Sequence, residues 1–353
     1  MRIGILSMQR VDNYGSLWQA YCLRKMLESL GASVEFIDIK PGYSDTINAA
    51  RKTFALSKLK RIPYYVFQEI KHRRFSAWRS ELLGIKPDRN YNEDYDAIVI
   101  GSDEVFNCAQ KSSWGLSLQL FGNMNNKNIY TYAASFGNTK IDNIKNSKYI
   151  NEIRESLQKI KKISVRDNNS FDIIHHLVKT DVCIHLDPVL IGDIPYPEAT
   201  HRKKEYILIY AYDFRLQNIE LIREIRLLAR EEKLNIISVG FYQEWADKNI
   251  IPDPNTLLSL FRGAKYIITD TFHGTIFSVR YHKQFVVMVQ KDNSMKLQDL
   301  INRIGIEIAQ YTGEKPLKQV LLRKIQYEEI DKKLQKKKNE SIEYLNMCLN
   351  KLE

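Results

Sequence analysis

His273 stands in the stretch Tyr266-Ile267-Ile268-Thr269-Asp270-Thr271-Phe272-His273-Gly274-Thr275-Ile276-Phe277-Ser278, whose residue types suit proton transfer and anion binding. Imidazole exchanges protons near neutral pH, and hydroxyl and carboxyl groups crowd around it. The β-branched run reads as a buried strand, Thr269-Asp270-Thr271 breaks it, and a helix opens near His273. Asp270, Thr271, Gly274 and Thr275 then surround a helix start, where orphan N–H groups and the dipole favour an anion. The same residues also fit a strand-to-helix turn capped by Thr271 or Asp270, with an incidental histidine.

Other polar sets recur after apolar runs. Asp12-Asn13-Tyr14-Gly15-Ser16 follows the strand-like Ile3 to Leu6, and Gly101-Ser102-Asp103-Glu104-Val105-Phe106-Asn107 follows Asp96 to Ile100. Ser135 follows Ile129 to Ala133, and Arg166-Asp167 follows Ile163 to Val165. Small and polar residues where strands end are where ligands meet open parallel sheets. Two readings stay open at each place. Ser102 or Asp103 can offer groups to a ligand or cap a following helix. Arg166 can clamp a carboxylate or phosphate, or pair with Asp167 or a helix end. The first loop is not G-x-G-x-x-G, so a dinucleotide is not supported.

The elements that must hold these loops alternate. Leu17, Ala20, Leu23, Leu27 and Leu30 recur at helical spacing and Gly31 ends that helix, before a strand from Val34 to Ile39. This βαβ opening predicts a parallel, doubly wound sheet. Residues 44–90 read as a basic helical insertion carrying Tyr64, Tyr65, Phe67, Phe75 and Trp78, which cover a core edge or face an acceptor or membrane. Asp181 to His185 and Asp187-Pro188 close the first half, and Pro195 to Glu205 reads as a linker. Strands at Tyr206 to Tyr212, Asn235 to Gly240, Tyr266 to Thr269 and Phe285 to Val289 alternate with helices in the second half, and a long charged helix begins near Glu328. The expected fold is α/β: two Rossmann-like doubly wound domains, 1–195 and 205–327, facing across a cleft, with the helix 328–353 crossing back to the first.

Composition agrees with that plan. A chain of 353 residues, 44% hydrophobic, exceeds one typical core. No apolar run is long enough for a spanning helix and no signal peptide is evident, so a cytoplasmic protein is expected. Cys22, Cys108, Cys183 and Cys348 are dispersed, which supports neither a zinc site nor a disulfide framework, and no metal-ligand cluster appears. A formal net charge of +11 favours anionic partners. The basic residues of Lys58 to Arg79 and Lys315 to Lys338 are interleaved with apolar ones, as on solvated helix faces, and no nucleic-acid motif accompanies them.

In order along the chain, Asp12-Asn13-Tyr14-Gly15-Ser16, Gly101-Ser102-Asp103, Tyr132-Ala133-Ala134-Ser135-Phe136-Gly137, Ser164-Val165-Arg166-Asp167, Asp187-Pro188-Val189 and Phe272-His273-Gly274 resemble the polysaccharide pyruvyl transferase family. The resemblance runs from Ile3 to about Arg303. It implies a GT-B-like fold, phosphoenolpyruvate as donor, and a cell-surface glycan or its lipid-linked precursor as acceptor. The implied reaction sets a pyruvyl unit on two hydroxyls of one sugar as a cyclic ketal and releases phosphate, with no cofactor beyond the donor. His273 is the expected acid/base. The expected substrate-binding set is Asn13, Tyr14, Gly15, Ser16, Gly101, Ser102, Asp103, Ser135, Arg166, Asp270, Thr271, Gly274 and Thr275. Many family members resemble Arg-x-His-Gly at the histidine, whereas Thr271 fills that arginine position here; Arg166, then Arg262 and Arg280, are the candidates to compensate. Contact with the inner face of an anionic membrane is a further expectation.

Two other classes remain. A nucleotide-sugar glycosyltransferase of the same plan would use Glu244 or Asp247 on a ribose. A non-catalytic glycan-binding or scaffold protein would keep the fold alone.

Overall fold

A computed structural model describes residues 1–43, 62–108, 112–199, 205–290 and 294–350. Residues 44–61 of the expected insertion and 200–204 of the expected linker lie outside the described residues.

In the first half, β1 (Arg2–Leu6), β2 (Ser33–Ile37), β3 (Ala97–Asp103), β4 (Ile129–Ala134), β5 (Ile163–Val165) and β6 (Val182–Ile184) form one sheet in the order β2-β1-β3-β4-β5-β6. The second sheet holds β7 (Tyr206–Tyr210), β8 (Asn235–Val239), β9 (Lys248–Ile250), β10 (Tyr266–Thr269) and β11 (Gln284–Val287), in the order β11-β10-β7-β8-β9. Every strand pairing in both sheets is parallel, so the expected GT-B-like α/β plan is the one observed. The central strands are apolar on both faces because each sheet is covered on both sides. Ile3, Ile5, Ala97 and Val99 face one buried cluster, while Leu6, Ile98 and Ile100 face another.

The connecting helices are α1 (Tyr14–Glu28), α2 (Ile62–Leu83), α3 (Ile141–Lys145), α4 (Ile150–Leu157), α5 (Asn168–Leu177), α6 (Pro188–Ile191), α7 (Ile219–Glu231), α8 (Pro254–Gly263), α9 (Phe272–Arg280), α10 (Ser294–Ile304), α11 (Leu317–Leu321) and α12 (Tyr327–Asn350). Short polar residues start several of them. The side chains of Asn13, Asp167, Asp187, Asn218, Asp253 and Thr271 each accept a backbone N–H of the first turn.

Winding reverses between β1 and β3 in the first sheet and between β7 and β10 in the second. The carboxyl ends of strands at such a reversal leave a crevice that helices do not fill. The loops after β1, β3 and β10 all open there.

One core cluster is shared by the two halves: Tyr14, Leu17 and Trp18 of α1 belong to it together with Leu208, Tyr210, Ile276 and Phe277. Helix α2 bridges them as well. Phe75 and Trp78 pack on Tyr14 with ring centroids at 4.8 and 5.8 Å, Phe67 meets Tyr242 at 5.8 Å, and the Lys71 ammonium lies 4.7 Å from the Phe241 ring centroid. Tyr327 at the start of α12 donates to Lys283 O, while Tyr344 near its end donates to Thr131 O at 2.9 Å. None of the four cysteines forms a disulfide. Among the described residues no helix is long and apolar enough to cross a membrane.

The exits differ from expectation at β3. Gly101, Ser102 and Asp103 are the last residues of the strand itself, with φ of +120° at Gly101 and +77° at Asp103. No helix starts there, so neither Ser102 nor Asp103 is a cap. Short β9 had no expected counterpart, because three residues with a lysine and an asparagine carry too little periodicity.

Candidate functional site

Thr271 and His273 do different jobs in the first turn of α9. Thr271 Oγ1 accepts Gly274 N at 2.8 Å, so the capping role belongs to Thr271. Asp270 turns back into the sheet: its Oδ1 accepts Tyr212 N at 3.0 Å and its carboxylate lies 3.7 Å from Arg215. Thr275 Oγ1 donates to Thr271 O at 2.9 Å. A β-carbon on Gly274 would sit 2.2 Å from Thr269 Oγ1, so the missing side chain lets α9 lie close on β10. These contacts fix the turn and carry His273 toward the first sheet.

There the imidazole meets the other half of the molecule. Its ring lies against Gly15, the second residue of α1, where a β-carbon would come within 2.0 Å of Nδ1. Its Nε2 is 3.5 Å from Asp187 Oδ2. The same carboxyl oxygen accepts Arg166 Nη1 at 2.9 Å and lies 3.5 Å from Ser102 Oγ, while Asp187 Oδ1 caps α6 by accepting Val189 N at 2.9 Å. Arg166 Nη1 also reaches Asp103 Oδ1 at 3.4 Å, and Asp103 Oδ2 accepts Ser16 Oγ at 2.7 Å. The arginine plane stacks on Phe272, with 4.3 Å from Cζ to the ring centroid. Thus Gly15, Ser16, Ser102, Asp103, Arg166, Asp187 and His273 converge where the two winding reversals meet.

Burial decides the electrostatics. The carboxyl of Asp187 is pushed up by desolvation, but the charges of His273 and Arg166 outweigh this and hold it at about 2. Desolvation likewise disfavours the Arg166 charge, and Asp103 and Asp187 more than restore it. Only one edge of that guanidinium is spoken for. Its Nε and Nη2 are buried without a hydrogen-bond partner among the described residues, and so is His273 Nε2. A guanidinium edge of two N–H donors matches a carboxylate or phosphate.

A second cation stands nearby. Lys296 of α10 pairs with Glu104, which also accepts Asn107 Nδ2 at 2.5 Å. Desolvation of Glu104 is overcome mainly by Lys296, and its carboxyl sits at about 2. From the same helix Arg303 Nη1 donates to Arg166 O at 2.6 Å, so α10 of the second half braces the strand end that carries Arg166.

Other expected residues lie elsewhere or serve the frame. Asn13 caps α1 by accepting Gly15 N at 2.7 Å, and the buried Tyr14 donates to Pro252 O at 2.5 Å, joining the halves. Gly101 packs on the backbone of Tyr132. Ser135 Oγ donates to Asp167 Oδ2 at 2.5 Å, and Asp167 Oδ1 accepts Ser170 N, so Asp167 is not the partner of Arg166. Arg262 stacks on Tyr196 at 4.2 Å and Arg280 donates to Leu190 O at 3.2 Å; neither takes the place of an arginine beside His273. Asp247 Oδ2 accepts Ile236 N at 2.7 Å. Asp187, Glu104 and Lys296 were not among the expected site residues. Asp187-Pro188 looked like a strand end, and Lys296 is one lysine of an amphipathic helix.

Two parallel sheets meeting at their carboxyl ends, with a histidine, an arginine and carboxylates at the crossing, define a GT-B-like architecture. Solved structures share it over the full chain. A glycotransferase of kitacinnamycin covers 99% of this chain and 98% of its own, at 10% identity and a TM-score of 0.52. A UDP-GlcNAc 2-epimerase from Neisseria meningitidis, bound to UDP-GlcNAc, covers 99% and 100%, at 10% identity and a TM-score of 0.54. Curated proteins yield no match. The family is settled by sequence: the polysaccharide pyruvyl transferase model matches residues 13–292, and the chain belongs to that family of transferases.

Proposed function

We propose that the protein transfers a pyruvyl unit from phosphoenolpyruvate to a sugar of a cell-surface polysaccharide or its lipid-linked precursor. The observation that carries this reading is the buried Nε/Nη2 edge of Arg166, which has no hydrogen-bond partner among the described residues, set with the His273 imidazole on either side of Asp187. In this reading the Arg166 edge holds the donor carboxylate or phosphate. His273 delivers a proton to the enol methylene, which becomes the methyl group, and one sugar hydroxyl forms a C–O bond to the adjacent carbon and passes its proton back to His273. A second hydroxyl forms the second C–O bond at that carbon while the phosphate C–O bond breaks, and its proton leaves with inorganic phosphate. Asp187 holds the imidazole and the guanidinium in register. Arg166 takes the place that the family arginine, replaced here by Thr271, would fill. The reaction takes place in the cytoplasm, where phosphoenolpyruvate is available.

The test is phosphate release from phosphoenolpyruvate in the presence of a glycan acceptor panel, with mass analysis of the product. Wild type releases phosphate and adds a pyruvyl ketal. His273→Ala lowers kcat about 10²–10⁴-fold, the usual contribution of a positioned acid/base, and Arg166→Ala raises the donor KM. Turnover unchanged in His273→Ala removes the histidine from the chemistry. Release of nucleoside diphosphate from nucleotide sugars, with none of phosphate, places the chain with the glycosyltransferases instead.

A further inference from the structure

A cavity of about 200 Å³ opens beside the crossing, between the exit of β1, the end of β2 and the loops around Arg89 and Trp114. Its floor is rigid. Ser7 N donates to Gln9 Oε1 at 3.1 Å, Gln9 Nε2 donates to Ile37 O at 2.6 Å, and Ser7 Oγ donates to Ser102 O at 3.2 Å. Ser102 is the residue whose hydroxyl lies 3.5 Å from Asp187, so the cavity floor and the candidate site share one strand end. Clefts for drug-sized ligands run to roughly 300–1,000 Å³, so this volume suits a single sugar ring. Tyr91 and the half-buried Trp114 line it with aromatic surface, against which the C–H faces of a sugar can lie.

The charge on its wall is unbalanced. Asp38 is buried and its carboxylate is shared: Arg10 binds both oxygens, Asn90 N donates to Oδ2 at 2.8 Å, and Arg89 Nη1 reaches Oδ1 at 3.3 Å. Arg10 is committed further, to Lys86 O at 3.0 Å and Asp88 O at 3.1 Å. Arg89 makes only that one long contact among the described residues, and its side chain is 54% exposed. Two guanidinium groups against one carboxylate leave a surplus positive charge on a half-free fork.

We infer that this cavity is the subsite for one acceptor sugar bearing an anion, a uronate carboxylate or a sugar phosphate, with its ring against Trp114 and Tyr91 and its anion on Arg89. The inference rests on the glycan-directed reading above but not on the donor. Purified full-length protein is titrated with glucuronic acid, glucose 1-phosphate, glucose and inorganic phosphate, followed by saturation-transfer NMR and calorimetry. At least one anionic sugar binds tenfold or more tightly than both glucose and inorganic phosphate, and which one does so identifies the anion. Arg89→Ala and Trp114→Ala each weaken it tenfold or more, Arg89→Lys keeps part of the affinity, and phosphoenolpyruvate binding stays within twofold. Tyr91→Ala, at a 41% exposed position, also weakens it. Glucose binding as well as the anionic sugars, phosphate binding as well as glucose 1-phosphate, affinity indifferent to all the alanine variants, or no saturable sugar binding would each overturn the inference. Anionic sugar binding that these variants abolish, in a protein that neither binds nor turns over phosphoenolpyruvate, keeps the subsite and sinks the pyruvyl reading.

Discussion

Gly15 at the start of α1 and His273 in the first turn of α9 are in face-to-face contact, with room between them for a hydrogen atom and not for a methyl group. One belongs to the first sheet's reversal and the other to the second's. Their contact sets the position of the imidazole relative to Asp187 and Arg166.

Gly15→Ala therefore tests positioning. Alanine favours a helix over glycine by up to about 1 kcal/mol, so α1 gains locally. The imidazole must move by an ångström or more, and displacement on that scale can cost about 10² in rate. The expected outcome is kcat/KM for pyruvyl transfer down about a hundredfold, with a smaller loss of stability of about 1–3 kcal/mol from overpacking against the ring. Wild-type turnover in this variant would mean that the ring position is not critical.

Asp187→Asn separates charge from shape. Asparagine caps α6 as well as aspartate does, so the helix start survives. Arg166 loses its 2.9 Å ionic partner while staying buried, and removing one member of such a pair costs about 3–5 kcal/mol. Urea unfolding at pH 7 measures this; a change below about 0.5 kcal/mol would show that Asp103 alone suffices. Because the folded carboxyl sits at about 2, its contribution is complete above the ordinary aspartate range and fades as pH falls from about 4 toward 2. The variant lacks that acid phase.

His185 gives a different pH dependence. Its ring stacks on Tyr132, meets Tyr344 at 4.6 Å and shares a 2.8 Å hydrogen bond with Ser164. Burial lowers its pKa to about 4; Glu340 opposes this, and Lys337 and Arg303 add to it. The folded state thus binds fewer protons than the unfolded one between pH 6.5 and 4, and stability falls as pH falls through that window, by about 3 kcal/mol in all. His185→Gln removes this slope. Stability of the wild type that is flat from pH 6.5 to 4 would contradict the buried, neutral imidazole.

Glu104 and Lys296 form a fourth test, since each strands the other when removed. Lys296→Met leaves a mostly buried carboxylate unpaired and costs about 3–5 kcal/mol, as does Glu104→Gln from the other side. The double variant recovers much of either loss, because no lone charge remains. Additive single effects would mean that the two side chains do not interact.

The sequence by itself determined the alternation of strands and helices, the polar loops at the strand ends and the family; that the cap is Thr271 and not Asp270 was decided by the structure. Periods of 2 and 3.6, together with capping chemistry, are local properties and can be read without partners. It also placed His273, Gly15, Ser16, Ser102, Asp103 and Arg166 at strand ends. Which strand ends face each other was decided only in three dimensions, because strand order sets it. That order brings β1 beside β3 and β7 beside β10 and joins the two reversals. The same physics turned Asp270, Ser135 and Thr275 inward, since buried N–H, carboxylate and C=O groups there need partners. It also drew in Asp187 and Lys296, whose value lies in the charges that the fold buries opposite them.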